Sequence, residues 1–225
     1  MVLLRLSNPL TAWSGFGRRR MIGLMEIITA ITGASGALYA QRFLQGLVAA
    51  GVNVHLIVSP FGRRVLRDEL GMETVDLAAL AGTPKHSITL HNYNDVGGKL
   101  ASGSFLNQGM VIVPCSGNTL AQVAHGVGDN LISRAASVTL KERRRLVLAH
   151  REMPLSAIEV NNYKTLTDAG AIVAPCNPGL YMRPQTVGDI ADFVAGKLLD
   201  LIGVAHAFDT RWDAARERSE GEGRM

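Results

Sequence analysis

Short apolar runs alternate with longer amphipathic stretches along the middle of the chain. The apolar runs are rich in β-branched residues and are mostly followed by glycine, proline or serine, as is typical of buried parallel strands. The predicted strands are residues 27–32, 52–58, 110–113, 146–149 and 171–174. Helical spacing predicts helices from Pro60 through Leu70, after Thr119, and at residues 37–50, 130–140, 156–169 and 187–202. This alternation predicts an α/β fold with one parallel sheet and helices on both faces.

One domain is predicted, over residues 26–212, because no internal repeat and no linker interrupts the pattern. Between Met72 and Asp95 the pattern is weaker and predicts only a short helix and a short strand without defined ends. Residues 1–25 are predicted to be a loose N-terminal extension, and residues 213–225 a polar C-terminal tail. A chain of 225 residues that is 47% hydrophobic is long enough to bury one full-sized core.

The composition narrows the functional classes. Aromatic residues make up only 5% of the chain and its net charge of +4 forms no broad basic face, so no nucleic-acid partner is expected. No apolar run approaches the ~18 residues of a membrane-spanning helix, and the basic N-terminal segment lacks the apolar core of a secretion signal. The two cysteines, Cys115 and Cys176, suit neither a disulfide framework nor a zinc cluster, which favours a reducing, cytoplasmic setting.

Three loops of small residues are candidate ligand contacts, because ligands of open parallel sheets bind beyond the carboxyl ends of strands. Loop 33–36 lets backbone N–H groups approach a ligand, and the helix that follows favours an anion. It is neither GxGxxG nor a phosphate loop with lysine, so a tight packing turn explains it equally well. Loop 114–119 offers polar groups for a ring or phosphate, or simply caps a helix through Ser116 or Asn118. Loop 101–104 is suited to wrap a phosphate, or is a flexible turn.

Arg151 and Glu152 directly follow a predicted strand, at the edge where ligands bind. A cation and a carboxylate in that position can bind phosphate and transfer a proton. The basic run 143–145 is more typical of a solvated face. The six histidines show no ligand-type spacing, GxSxG is absent, and neither cysteine has a neighbouring base, so no metal site, hydrolysis or thiol chemistry is predicted. The residues themselves therefore predict a cytosolic α/β enzyme that binds a phosphorylated ligand, most simply a mononucleotide.

Seven short motifs, in the same order, resemble the UbiX family of flavin prenyltransferases over residues 26–212. The matching segments are 32–37, 101–105, 114–116, 140–144, 146–148, 151–154 and 181–185. The resemblance implies a flavodoxin-like Rossmann core, FMN held between subunits, and a homododecamer built of trimers. The chain departs from the family at Lys197, where several members carry Arg, and at Arg145, where Pro is common.

The resemblance also implies the site residues. Those implied to contact FMN are Gly33, Ala34, Ser35, Ser59, Ser116, Gly117, Asn118, Thr119 and Arg151. Those implied to bind the prenyl phosphate are Ser102, Gly103, Lys141, Tyr181 and Lys197, with Trp212 near the prenyl group. The candidate catalytic residues are Glu152, Ser35 and Glu69.

The implied reaction transfers a dimethylallyl group from dimethylallyl phosphate to N5 and C6 of reduced FMN, without a metal. Cationic groups on the phosphate stabilise the charge that develops as it leaves. The product, prenylated FMN, would serve a UbiD-type decarboxylase. Two alternatives are an FMN-dependent decarboxylase of cysteinyl substrates, whose catalytic His and Pro-x-Met-Asn motif are not found here, and a non-catalytic flavin-binding module. The choice between phosphate and diphosphate donors, and the identity of the recipient decarboxylase, stay open.

Overall fold

Within the part of the chain that the structure describes, six strands form one parallel sheet in the order β3-β2-β1-β4-β5-β6. The computed structural model describes residues 25–208 and residue 210. The strands are β1 Glu26–Ile31, β2 Asn53–Val58, β3 Ile88–His91, β4 Gly109–Cys115, β5 Arg145–His150 and β6 Ile172–Val173. The helices are α1 Ala37–Ala49, α2 Pro60–Leu70, α3 Leu77–Ala81, α4 Gly117–Ala124, α5 Leu131–Lys141, α6 Ala157–Asp168 and α7 Val187–Ile202. Two 3₁₀ turns lie at Lys99–Ala101 and Leu180–Met182.

Apolar side chains leave the sheet on both faces, and helices cover each face. On the first face, Ile27 of β1 packs in one core with Phe43 of α1 and Leu198 of α7. On the second face, Ile28 packs in another core with Ala135 of α5. Successive strand residues point to opposite faces, so the continuous apolar run of β1 fills both cores. The predicted parallel sheet with helices on both faces is confirmed.

The observed ends of the elements follow local capping and pairing. Helix α6 begins at Ala157 because the hydroxyl of Ser156 accepts the N–H of Glu159, whose carboxylate in turn accepts the N–H of Ser156. Helix α7 has the predicted bounds. Strand β4 is longer than the predicted 110–113, because Thr32 hydrogen-bonds Pro114 and keeps the end of β4 beside β1.

The register of the strands defines two edges of the sheet. At the amino edge, Gly109 pairs with Arg145. At the carboxyl edge, Ile31 pairs with Val58, and Cys115 pairs with His150. The five residue steps of β5 from Arg145 to His150 separate the two edges by roughly 17 Å, at ~3.3 Å per residue. The strand order reverses between β1 and β4, which is where doubly wound sheets bind ligands.

Residues 1–24 of the predicted N-terminal extension, the C-terminal tail and Trp212 lie outside the described residues. The prediction of a loose extension is wrong for its last residue, Met25, whose carbonyl oxygen accepts the N–H of Asn53 at 2.8 Å and whose side chain packs against the first core. Among the helices of residues 25–208, none is long and apolar enough to cross a membrane.

Candidate functional site

Thr32 joins the two loops that flank the reversal of strand order. Its N–H and its hydroxyl both donate to the carbonyl oxygen of Pro114, at 3.2 and 2.8 Å. The same hydroxyl oxygen accepts the N–H of Ser116 at 2.8 Å. Thr32 is 1% exposed, so water does not compete for these hydrogen bonds. The turn after β1 and the beginning of α4 are therefore held together as one surface.

Helix α2 lies along the turn that follows β1. A Cβ on Gly33 would collide with the Cβ of Phe61, at the start of α2, so glycine is needed here for helix packing. Ser59, an expected flavin contact, is buried, and its hydroxyl accepts the N–H of Gly62 at 2.9 Å. The structure therefore assigns Gly33 and Ser59 a packing and a capping role, and their flavin contacts stay predictions.

The carboxylate of Glu69 occupies the amino end of α1. One of its oxygens accepts the N–H of Ala37 at 2.7 Å, and both accept the N–H of Gly36, at 3.0 and 3.2 Å. The sequence predicted that this helix end would favour the anion of a ligand, but a side chain of α2 takes that position. The N–H groups of Ala34 and Ser35 donate to no other described residue, which leaves the turn itself open to a ligand.

The beginning of α4 combines capping with exposure. The hydroxyl of Ser116 accepts the N–H of Thr119 at 3.4 Å and donates to its hydroxyl at 3.2 Å. Ser116 is therefore the N-cap of α4, one of the two interpretations that the sequence allowed. Thr119 is buried, Gly117 is half-buried and Asn118 is exposed.

Arg151 and Glu152 follow β5 directly, as predicted. The Nε of Arg151 donates to the carbonyl oxygen of Ser35 at 3.1 Å, and its backbone N–H donates to the carbonyl oxygen of Cys115 at 3.3 Å. The arginine thus contacts both loops that Thr32 joins, while its Nη groups donate to no described residue. Glu152 is exposed, and its carboxylate accepts the N–H of Met153 at 3.1 Å.

This surface at the carboxyl edge fits a phosphorylated mononucleotide. It combines the open N–H groups of Ala34 and Ser35 with the guanidinium of Arg151, which suits an anion. Thiol chemistry is poorly suited to the same edge. Burial raises the pKa of Cys176 to about 12 and also raises that of Cys115, so both thiols keep their protons at neutral pH.

A second group of predicted site residues lies at the opposite, amino edge. Lys141, at the end of α5, forms an ion pair with Glu142. A Cβ on Gly103 would collide with the carboxylate of Glu142 and would stand 2.9 Å from the Nζ of Lys141, so glycine allows this approach. The exposed hydroxyl of Ser102 lies in the same loop and is 2.8 Å from that of Ser104.

Arg144 holds this loop in place. Its guanidinium donates to the carbonyl oxygens of Gly103 and Phe105, at 2.7 and 2.8 Å. The interpretation of the basic run as a solvated face is therefore wrong for Arg144, which is half-buried. Sequence spacing could not reveal this role, because Arg144 meets the loop only when α5 folds over it.

The remaining predicted phosphate contacts are also dispersed. Tyr181 lies in the 3₁₀ turn after β6, where its ring packs edge-on against Phe193 with centroids 5.8 Å apart. Lys197 is exposed on α7, one turn before Leu201, whose carbonyl oxygen accepts from Arg145 at the amino edge. One chain therefore brings together the expected flavin contacts and Glu152, but not the expected phosphate contacts.

The structure also brings together two histidines that show no ligand-type spacing in the sequence. His55 of β2 and His91 of β3 lie with ring nitrogens 3.0 Å apart, and the other nitrogen of His55 is 2.7 Å from Glu26. Burial, the charge of His55 and that of Lys99 lower the pKa of His91 to about 4. Only the pairing of β2 with β3 makes these residues neighbours.

The fold and the site together define a doubly wound α/β protein whose carboxyl edge is built to receive a mononucleotide. The flavoprotein family matches residues 18–199 of the chain. The flavin prenyltransferase UbiX of Halalkalibacterium halodurans is 41% identical over 191 residues, which cover 83% of this chain and 93% of that protein. The chain belongs to the flavoprotein family and, within it, to the flavin prenyltransferases of the UbiX type.

Two solved structures of similar proteins agree with this assignment. The structure of AnUbiX in complex with FMN and dimethylallyl pyrophosphate has a TM-score of 0.74 and 39% identity, covering 80% of this chain and 93% of its own. A dodecameric FMN-dependent UbiX-like decarboxylase from Escherichia coli has a TM-score of 0.76 and 39% identity, and the match covers 84% of this chain and 99% of that protein. The predicted family is confirmed, and the flavodoxin-like Rossmann fold with it.

Proposed function

We propose that the protein transfers a dimethylallyl group from dimethylallyl phosphate to N5 and C6 of reduced FMN and so produces prenylated FMN. One observation carries the proposal: the loops after β1, β4 and β5 form a single surface, joined by Thr32 and Arg151, at the reversal of strand order. Its open N–H groups and its guanidinium suit a phosphorylated mononucleotide. FMN is the mononucleotide bound by the similar AnUbiX, which supports it as the ligand.

The residues of this surface would bind and orient the flavin. Ser35 and Arg151 are proposed to hold it from the turn after β1 and the end of β5, with Ser116 and Asn118 contacting it from α4. Reduced FMN supplies the nucleophile when it is bound. The protein's contribution is to exclude water and to hold the flavin still, which lowers the entropic cost of the reaction.

The prenyl phosphate needs cationic groups that this surface does not supply in sufficient number. Ser102, Gly103 and Lys141 are suited to bind it, but they lie at the amino edge, roughly 17 Å from the carboxyl edge at ~3.3 Å per residue of β5. We therefore propose that these three residues complete the flavin site of a neighbouring subunit. Tyr181 and Lys197 are proposed to add further phosphate contacts at the same junction.

Exposed apolar side chains support such an assembly. Phe61, Met153, Ile158 and Leu180 are 70%, 86%, 71% and 69% exposed in the single chain. They lie on the loops and helices that follow the strands, close in sequence to the proposed site. Apolar side chains of this size are commonly covered by another subunit. A homododecamer is the proposed assembly, as in the dodecameric relative from E. coli.

A mixture of two inactive variants tests whether subunits share the site. We expect Arg151→Ala and Lys141→Ala each to abolish most prenylation. If the two residues of one site come from different chains, random pairing of the two variants gives about a quarter of the sites in a mixed oligomer both intact residues. These sites should be active. If both come from one chain, mixing restores nothing, and the shared-site proposal is wrong. Light scattering that shows a fully active monomer would also contradict it.

Glu152 is the proposed proton-transfer group. It is exposed beside Arg151, so it reaches a ligand bound there, and a carboxylate adds no attraction for an anion. Its simplest role is to protonate the departing phosphate or to accept a proton from the flavin. Lys141 and Lys197 would stabilise the negative charge of the leaving phosphate. Ser35 and Glu69 are further catalytic candidates, with Glu69 also capping α1.

The product is proposed to leave for a UbiD-type decarboxylase, in the cytoplasm. Anaerobic incubation with FMN, a reductant and either dimethylallyl phosphate or the diphosphate tests the reaction itself. We expect the flavin to gain the mass of one dimethylallyl group with at least one donor. An unchanged flavin mass with both donors, in protein that binds FMN, would reject prenyl transfer and favour a flavin-binding module.

A further inference from the structure

His150 is the last residue of β5 and the neighbour of Arg151 in the chain. Its side chain is almost completely buried, at 1% exposure. The proposed prenyl transfer gives it no role. Its backbone carbonyl oxygen accepts the N–H of Cys176 at 2.9 Å, so the main chain at this position is well fixed. A buried imidazole one residue from a ligand-binding arginine calls for a physical explanation.

The ring of His150 spans the space between α6 and α4. Its Nδ1 lies 2.7 Å from the hydroxyl of Tyr163 on α6, and the two rings meet edge-on with centroids 5.4 Å apart. Its Nε2 is buried and has no hydrogen-bond partner among the described residues. A Cβ on Gly117, the first residue of α4, would stand 3.8 Å from this Nε2 and 3.2 Å from the Oε1 of Glu159.

The surrounding charges select one arrangement of protons. Hydrogen bonds from Ser156 hold the pKa of Glu159 below its usual range, so this carboxylate is charged at neutral pH. Burial raises the pKa of Tyr163 to about 12. Burial also lowers the pKa of His150, although the charge of Glu159 opposes this shift. The phenol and the imidazole are therefore both neutral. A carboxylate on the Nε2 side favours the proton on Nε2, so that Nδ1 accepts from the hydroxyl of Tyr163.

We infer that His150 is a positioning residue of the flavin site: its hydrogen bond to Tyr163 holds the end of β5 against α6, while its Nε2 faces Gly117 at the first turn of α4. Arg151 follows it directly and reaches Ser35, while Gly117 lies against the ring on the other side. The buried ring of His150 thus lies between the two halves of the proposed flavin surface. This inference rests on the proposed flavin function.

Tyr163→Phe is the mildest test, because it removes only the hydroxyl. We expect the dissociation constant for FMN, measured by fluorescence quenching, to rise ~3- to 10-fold, as for the loss of one net hydrogen bond. The rate of prenylation at saturating FMN should stay close to that of the wild type. Lys164→Gln, at the next position of α6, removes only an exposed ion pair with Asp168 and is the matched control.

Substitutions at His150 distinguish a positioning role from simple core packing. Asn places an amide near the position of Nδ1 and keeps an acceptor for Tyr163, whereas Ala keeps nothing. We expect His150→Asn to bind FMN more tightly than His150→Ala, and Tyr163→Phe to have little further effect in the His150→Ala background, since the two residues act through one contact. The unfolding temperature of the flavin-free variants is measured in parallel.

Three outcomes overturn the inference, and a fourth rejects the proposed function. Tyr163→Phe that binds FMN as tightly as the wild type overturns the inference. Fully additive effects of the two substitutions overturn it too, because they show that the two residues act independently. A lower unfolding temperature with unchanged FMN affinity also overturns it, because it indicates a role in stability only. Wild-type protein without affinity for FMN would instead reject the proposed function, and this is seen before any variant is compared.

Discussion

The carboxylate of Glu69, near the end of α2, accepts the backbone N–H of Ala37, the first residue of α1, at 2.7 Å. The positive end of α1, a favourable place for a ligand's phosphate, is thereby neutralised by the protein itself. The contact also ties α2 to the turn after β1, where Ser35 and its open N–H group lie. Glu69 consequently has a structural role in the candidate site, beside any part in catalysis.

Replacement of Glu69 by Ala should destabilise the fold. We expect the free energy of unfolding to fall by ~1 kcal/mol, the usual effect of losing a helix cap. Urea denaturation of the flavin-free protein measures it. Asp68→Ala is the control, because among the described residues Asp68 forms only exposed ion pairs with Arg64 and Arg67. Equal stability of the two variants would show that the cap contributes nothing.

Arg151→Ala should weaken FMN binding. The arginine is half-buried between two loops, and a hydrogen bond to a charged group contributes ~1.5–3 kcal/mol, which corresponds to a loss of ~10- to 150-fold in affinity. Calorimetric titration with FMN gives the value, and Lys85→Ala, an exposed cation far along the chain, is the control. A variant that retains wild-type affinity would remove Arg151 from the flavin site.

Glu152→Gln distinguishes proton transfer from ion pairing. The amide keeps the shape of the side chain but cannot transfer a proton, so we expect nearly normal FMN affinity and a prenylation rate lower by ~100-fold or more. Single-turnover rates at saturating dimethylallyl phosphate report the chemical step. Glu73→Gln, at another exposed glutamate, serves as the control. A rate near that of the wild type would leave Glu152 only an ion-pairing role.

Gly103→Ala should affect the prenyl donor and not the flavin. The added methyl group would displace the side chains of Glu142 and Lys141, so we expect a higher KM for dimethylallyl phosphate with unchanged FMN affinity. Gly97→Ala is matched to it, since a Cβ there meets no atom of residues 25–208 within 4 Å. If both variants have the same KM, loop 101–104 does not take part in binding the phosphate.

Acid should destabilise the protein partly through His91. Its pKa is about 4 in the fold against 6.5 as its ordinary value, so between these pH values the unfolded chain binds more protons. The free energy of unfolding should therefore fall as the pH drops from 6.5 towards 4. His91→Gln should make this dependence shallower, and His125→Gln, at an exposed histidine, should not. Urea denaturation across this pH range measures both slopes.

Much of the fold follows from local sequence pattern. The apolar run of β1 and the helical spacing of α7 place these elements correctly, because strand and helix periodicity are properties of short segments. The position of Arg151 and Glu152 at the carboxyl edge also follows from the chain, since a residue directly after a parallel strand can lie nowhere else. The small residues of the turn after β1 reveal a tight turn, but not what approaches it.

The contacts between distant segments were decided only by the tertiary structure. Glu69 reaches Ala37, Arg144 reaches Gly103 and His150 reaches Tyr163 once helices pack on the sheet, and no spacing along the chain encodes these distances. The same holds for the separation of Lys141 from Arg151, because α5 returns to the amino edge before β5 crosses the sheet. The sequence by itself determined which residues are candidates for the chemistry, whereas three-dimensional packing decided which of them one chain can bring together.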